Sequence, residues 1–200
     1  MTHIKRLKTE VFHDHRMDSY RCNSVILIFM FIGNYNGLVG LRNAVKTAWA
    51  QIDVQLKRRY DLIPNLVETV KGYKNFESST LQAVTNARSA AQAGANASPA
   101  ARADLEGALS GALSRLMVVV EAYPELKASQ NFMALQEQLT STENQISSFR
   151  QTYNSAVLKL NNKVQMFPSN IIAGMTGFKI GEFFEVKAPE EKQPVKVNFS

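Results

Sequence analysis

Apolar residues recur at steps of three and four from Leu38 to Val70, a spacing that predicts one long amphipathic helix. The apolar positions are Leu38, Leu41, Val45, Trp49, Ile52, Leu56, Tyr60, Ile63, Val67 and Val70. The polar positions fall mostly on the other faces, as burial of one face requires: Lys46, Gln51, Asp53, Lys57, Arg58 and Glu68.

Pro64 lies inside this stretch, where it removes a backbone donor and disfavours the helical conformation at Ile63. The apolar phase nevertheless continues unbroken from Ile52 through Val70, which favours one kinked but continuous helix. The alternative is a new helix capped by Asp61.

Three further helices are predicted by the same periodicity. The second covers 75–95, and Gly94, Ser98 and Pro99 then supply a stop, an N-cap and a first-turn residue. The third ends near Tyr123 because Pro124 follows, and it carries Leu105, Leu109, Leu113, Leu116 and Val120. The fourth is as long as the first, and its apolar face comprises Phe132, Leu135, Leu139, Ile146, Phe149, Tyr153, Val157, Leu160 and Val164. The sequence therefore predicts an all-α antiparallel bundle of about four helices, of which the first and last are long.

A short apolar segment, Ser24 to Leu41, precedes the bundle. Its uninterrupted part, Val25 to Ile32, is shorter than the ~20 residues that a spanning helix needs, and Asn34 and Asn36 interrupt the rest. A signal-peptide core and a buried helix are the alternatives, although no small-x-small cleavage site follows. We interpret the segment as a membrane anchor.

The predicted divisions of the chain follow from these patterns. They are a polar, disordered leader (1–23), the anchor (24–41), the bundle (42–167), an amphipathic and aromatic segment with Phe178, Phe183 and Phe184 as docking residues (168–187), and a mobile tail (188–200).

Composition narrows the class of protein. The 200 residues are 45% hydrophobic and 20% charged, which is typical of one globular domain. The net charge of +6 is spread along the chain, so no nucleic-acid partner is predicted. The single cysteine, Cys22, excludes an internal disulfide.

The amino-acid sequences of four blocks resemble those of the LemA family of bacterial membrane-anchored helical proteins. The blocks are DVQLKRRYDLIPNLVETVKGY from Asp53, GALSRLMVVVEAYPELKASQNF from Gly111, STENQISSFRQTYNSAV from Ser141 and FPSNIIAGMTGFK from Phe167. The resemblance covers roughly 35–185 and implies a helical fold at a membrane, but no particular activity. Members of the family usually carry a longer apolar N-terminal segment than this chain does.

No constellation in the sequence predicts catalysis. All three histidines, including His13 and His15, precede the bundle, so no Glu-x-x-His pair arises for a metal site. GxSxG, P-loop, GxGxxG and CxxC motifs do not occur either. We therefore predict no catalytic residue, cofactor, metal or small-molecule substrate.

Polar residues crowd the turn around Pro64 and predict a partner-binding ridge formed by Arg58, Arg59, Asp61, Asn65 and Glu68. The alternative is a polar layer that fixes helix register and satisfies the broken backbone. Further polar candidates lie in the later blocks: Glu121, Glu125, Glu143, Asn144 and Arg150. The turn from Tyr123 to Leu126 is either a stiff connection or a peptide-docking edge.

The expected function is that of a membrane-anchored bundle, not an enzyme, that binds protein partners at the bacterial cell envelope. Two alternatives remain at this point: a soluble helical-bundle interaction protein, and a metal-dependent enzyme.

Overall fold

The computed structural model describes the backbone of residues 2–73 and 77–185 and, within those ranges, the side chains from Ser24 onward. This part of the chain is helical, with no strand among the described residues. The helices are α1 (Thr2–Lys71), α2 (Ser78–Ala93), α3 (Pro99–Val120), α4 (Pro124–Lys127), α5 (Gln130–Gln165) and α6 (Ser169–Thr176), with a 3-10 turn at Gly94–Asn96.

The local signals for helix ends are confirmed. Gly94 is the C-cap of α2, and the Ser98 hydroxyl accepts a hydrogen bond from the Ala101 amide at 3.4 Å, with Pro99 in the first turn of α3. The Tyr123–Leu126 connection forms the single-turn helix α4, and Leu126 is buried in the core. Gly177 ends α6 with φ 74°, a left-handed conformation that costs glycine little.

The predicted leader and tail stay largely untested. The backbone of 2–23 is helical and belongs to α1, where the sequence showed little periodicity. The side chains of the leader, His13 and His15 among them, and the residues after Glu185 lie outside the described part.

The chain divides into two compact units. The apolar unit comprises Met1–Asn43 and Lys159–Ile180, and the bundle unit comprises Ala44–Leu158 and Gly181–Ser200.

Side-chain contacts define the topology of the bundle unit. Between α1 and α5, Trp49 contacts Tyr153 and Arg59 contacts Glu143. The later residue on α1 contacts the earlier residue on α5, so these two helices are antiparallel. On α1 and α3, Asp53 meets Arg102 and Arg59 meets Glu106, so these two helices run in the same direction. Since α2 precedes α3 through a tight turn, the order is up, down, up, down, which confirms the antiparallel bundle.

The core of the bundle unit is the predicted set of apolar faces. Its buried members on the three longer segments are Ile52, Leu56, Tyr60, Ile63, Val67 and Val70 on α1, Leu109, Leu113, Leu116 and Val120 on α3, and Phe132, Leu139, Ile146, Tyr153 and Val157 on α5. Periodicity therefore located most of the core, although Leu66 is fully buried outside the predicted stripe and Leu105 and Leu135 are only partly buried.

The segment after α6 docks on the bundle unit through Phe184, which is 1% exposed. Its ring packs against Trp49 at 5.7 Å between centroids, and its backbone exchanges two hydrogen bonds with the Asn154 amide group at 2.9 and 3.2 Å. The Tyr153 hydroxyl donates to the Glu182 carbonyl at 2.9 Å, so this segment adds a layer to the unit.

Pro64 lies within α1, so the continuous helix is confirmed and Asp61 caps no new helix there. Proline has no N–H to donate to the carbonyl four residues earlier, which is that of Tyr60. The guanidinium of Arg88 on α2 takes its place, because Nε donates to the Tyr60 carbonyl at 2.7 Å. A side chain from a neighbouring helix thus satisfies the carbonyl that the proline leaves without its helical donor.

This contact leads to a testable coupling. We expect Arg88→Ala to lower the free energy of unfolding by roughly 1–3 kcal/mol, the cost of leaving the Tyr60 carbonyl without its donor. In a Pro64→Ala background the new amide can bond that carbonyl, so the same substitution should cost less, with a coupling of about 0.5–3 kcal/mol. Urea denaturation of the wild type, the two single variants and the double variant measures the coupling. Arg115→Ala, at an exposed position on α3, is the control and should be additive with Pro64→Ala.

Candidate functional site

Arg59 is the centre of a buried polar cluster in the bundle unit. It is 3% exposed, and its Nη2 donates to the Ser110 hydroxyl at 2.7 Å. Its Nη1 lies 3.2 Å from Glu143 Oε2 and 3.5 Å from Glu106 Oε2. One guanidinium on α1 therefore connects α3 and α5.

Glu106 on α3 is 4% exposed and receives a second donor, the Tyr60 hydroxyl, at Oε1. Burial raises the pKa of Glu106, although the Tyr60 hydrogen bond and the charges of Arg59 and Arg102 oppose the shift. Burial also raises the pKa of Tyr60, and the adjacent Glu106 adds to that rise, so the hydroxyl stays protonated as a donor.

Arg102, also on α3, extends the cluster towards the start of the bundle. Its Nη1 lies 2.5 Å from Asp53 Oδ1 on α1 and donates to the Ala95 carbonyl at 3.2 Å. Its guanidinium also stacks over the Trp49 ring at 5.3 Å from the centroid. Asp53, Arg59, Tyr60, Arg102, Glu106 and Glu143 together are termed the polar layer below.

The polar layer is mostly closed to solvent. Its arginines and Glu106 are buried, while the side chains of Asp53 and Glu143 are 43% and 46% exposed at its two ends. A cleft of about 240 Å³ lies beside Arg59 and Glu143, between α3 and α5. Each cation faces a carboxylate, and among the described residues no group of three or more His, Cys, Asp or Glu is placed to hold a metal ion. The arrangement suits fixing the register of α1, α3 and α5.

The five ridge residues predicted around Pro64 do not stay together. Arg58, Asp61, Asn65 and Glu68 are exposed at spacings of three and four on one side of α1, and Glu68 pairs with Lys71 at 2.7 Å. Arg59 points into the core and is therefore not part of an exposed ridge. The four exposed residues are termed the α1 ridge below, and their role in partner binding stays a prediction.

The sequence pattern predicted only part of the polar layer. Of the later polar candidates, Glu143 meets Arg59, whereas Arg150 stacks over Phe184 at 5.3 Å and has a pKa lowered by burial. Arg102 and Glu106 were not singled out. Extending the α3 stripe backwards from Leu109 in steps of three and four places both on the buried face, so the signal was present.

Glu106 should make stability depend on pH. Because its pKa is raised above the ordinary value of 4.5, the folded protein holds this proton more tightly than the unfolded chain does. The contribution of Glu106 to the free energy of unfolding is complete below the pKa that this carboxyl has in the unfolded chain. It is lost as the pH rises through the pKa that the carboxyl has in the folded protein. We therefore expect the difference in unfolding free energy, wild type minus Glu106→Gln, to shrink as the pH rises from about 4.5. Urea denaturation at a series of pH values measures this difference, and Glu125→Gln, at an exposed position, is the control. A wild-type advantage over Glu106→Gln that grows with pH would contradict a raised pKa at Glu106.

The apolar part of α1 bears on the class of protein. Among the described residues, one helix is long and apolar enough, by length and composition, to cross a membrane. It is the part of α1 from Ser24 to Lys71, and its most apolar stretch has a mean hydropathy of 1.7. These features support a membrane-associated helical protein.

The chain belongs to the LemA family, whose sequence model matches residues 48–199. It is similar to Protein LemA of Metamycoplasma hominis, with 27% identity over 148 residues that cover 74% of this chain and 67% of the relative. It is also similar to magnetosome protein MamQ 2 of Paramagnetospirillum magneticum, 25% identical over 192 residues (82% of this chain, 71% of the relative). MamQ of Magnetospirillum gryphiswaldense is 23% identical over 187 residues (82% and 69%). The resemblance seen in the sequence blocks is thereby confirmed.

Proposed function

We propose that the chain is a membrane-anchored helical bundle that binds protein partners at the bacterial cell envelope, with the inner membrane as its location and without catalysis of its own. One observation carries the proposal. The eight consecutive apolar side chains from Val25 to Ile32 are each 39–70% exposed.

Exposure on all sides of the helix favours lipid as the cover for this segment. A core helix of a soluble bundle buries at least one stripe, and a docked partner helix covers one face. From Val25 to Ile32 no side chain is buried, whereas Leu38, the first residue of the apolar stripe on α1, is fully buried. Hydrocarbon surrounds a helix evenly, and it fits this pattern.

The bundle unit supports a binding role better than a catalytic one. A general acid or base needs access to a substrate, and Glu106 is 4% exposed and engaged by Tyr60 and Arg59. The α1 ridge, in contrast, presents a cation, two anions and an amide on one line along the surface. Such a mixed polar row suits the rim of a protein interface.

A photo-crosslinking experiment in intact bacterial cells tests the partner-binding part. Benzoylphenylalanine placed at Asp61, in the middle of the α1 ridge, should form specific adducts that mass spectrometry identifies as envelope proteins. Ser148, an exposed position on α5, is the matched control and should form few. Charge reversal by Arg58→Glu should weaken the Asp61 adducts.

Equal adducts at Asp61 and Ser148 would show that the ridge is not the partner site. A chain that fractionates entirely with soluble proteins would instead favour the soluble interaction protein, in which Val25 to Ile32 serve as a contact between copies.

A further inference from the structure

The described part of the apolar unit contains basic residues and no acidic ones. Residues 24–43 and 159–180 include Arg42, Lys159, Lys163 and Lys179 but no Asp or Glu. Every Asp and Glu whose side chain is described belongs to the bundle unit. A surface with charge of one sign is complementary to the anionic headgroups of a phospholipid bilayer.

The same unit exposes apolar side chains around α6. Those more than half exposed are Met166, Phe167, Ile171, Met175 and Ile180. On the other side of α6, Ile172 and Ala173 are buried. The helix is thus apolar on both sides, and a helix of that kind is normally covered on both. The set of five exposed side chains is termed the α6 patch below.

Contacts within the unit place the flanks of α6 against α1, directly after the exposed run 24–33. The Lys163 ammonium donates to Asn34 Oδ1 at 2.8 Å. The Phe178 ring lies 6.1 Å from that of Tyr35, and the Arg42 guanidinium lies 5.0 Å from the Phe178 centroid. The residues that bracket α6 therefore touch α1 between positions 34 and 42.

The length of the anchor sets the depth of these contacts. The run without a buried or half-buried residue, 24–33, rises about 15 Å, which is half of the ~30 Å hydrocarbon core. The whole apolar segment to Leu41 rises about 27 Å, close to the thickness required. From Asn34 to Leu41, however, α1 is partly covered by protein, and Leu38 is fully buried. At that level the exposed surface of the unit includes the α6 patch together with Tyr35 and Gly40 of α1.

We propose that the α6 patch inserts into the headgroup and upper acyl region of the same phospholipid bilayer that α1 enters, and so completes the short anchor. This inference rests on the proposed membrane attachment. Arg42 and Lys179 then lie at the level of the headgroups, where long basic side chains direct their charges to phosphate, whereas the Lys163 ammonium is bound to Asn34. Tyr35, beside Phe178, occupies the depth typical of interfacial aromatic residues.

Depth-dependent quenching in vesicles tests the proposal on the full chain. In a Cys22→Ser background, which removes the only cysteine, an environment-sensitive fluorophore is attached to Phe29→Cys, Met175→Cys or Val118→Cys. The three side chains are matched, at 70%, 73% and 72% exposed. Each labelled chain is reconstituted into phosphatidylethanolamine and phosphatidylglycerol vesicles that carry a nitroxide either near the headgroup or near the acyl-chain end.

We expect the Met175 label to lose most of its emission to the headgroup-side nitroxide, the Phe29 label to respond to the deeper one, and the Val118 label on α3 to respond to neither. A Met175 label that behaves like the Val118 label, while Phe29 is quenched, overturns this inference and leaves the anchor intact. If the Phe29 label also remains unquenched, the proposed membrane attachment itself is wrong. Equal quenching at Met175 and Val118 likewise overturns the inference, because the contact would then not be specific to α6.

Discussion

Replacing Arg59 by alanine is expected to lower the free energy of unfolding by about 3–5 kcal/mol, the usual cost of removing one partner of a buried ion pair. The substitution leaves Glu106 at 4% exposure without its nearest cation, and Ser110 loses its donor. The cost is large because a buried carboxylate without its partner is far less stable than a solvated one. Chemical denaturation of the purified chain, followed by far-ultraviolet circular dichroism, measures it.

The chain offers a matched control at the adjacent position. Arg58 is exposed on the α1 ridge, so Arg58→Ala should change the unfolding free energy by no more than about 0.5 kcal/mol. Similar losses in the two variants would show that the polar layer does not stabilise the fold through burial of the Arg59 charge.

The contrast between Arg58 and Arg59 also shows what the sequence could predict. Helix faces follow from the 3.6-residue period, so the apolar stripe through Ile52, Leu56 and Val70 was predicted and is confirmed. A charged residue at the edge of that stripe is different. Whether Arg59 faces solvent or core depends on carboxylates from α3 and α5, which are about 50 and 80 positions away along the chain.

Pro64 separates local from non-local information in the same way. The unbroken apolar phase predicted that α1 continues through the proline, and it does. The identity of the group that replaces the missing donor was not predictable, because Arg88 reaches the Tyr60 carbonyl only after α2 has packed on α1. The cap at Ser98 was predictable because all its partners lie within one turn.

Placing aspartate at both Ile28 and Phe29 is expected to release the chain from membranes. Aspartate near the centre of a membrane helix costs about 2.5–3.5 kcal/mol per residue on insertion scales, so two substitutions remove much of the driving force of so short an apolar run. Both side chains are exposed in the structure, at 58% and 70%, so the folded units should not be disturbed. Alkaline carbonate extraction of cell membranes should leave the wild-type chain in the pellet and the double variant in the supernatant.

The control places aspartate at an equally exposed apolar position away from the anchor. Val118→Asp on α3 should remain in the membrane pellet, because that side chain contacts no lipid in this account. Retention of the double variant in the pellet would show that attachment does not depend on Val25 to Ile32.

Flotation of the purified full-length chain with liposomes tests the central claim most directly. After mixing with phospholipid vesicles in alkaline carbonate and centrifugation through a density gradient, the wild-type chain should rise with the vesicles, and the Ile28→Asp, Phe29→Asp variant should stay at the bottom. A wild-type chain that stays at the bottom while the vesicles float would contradict membrane attachment through the apolar segment of α1.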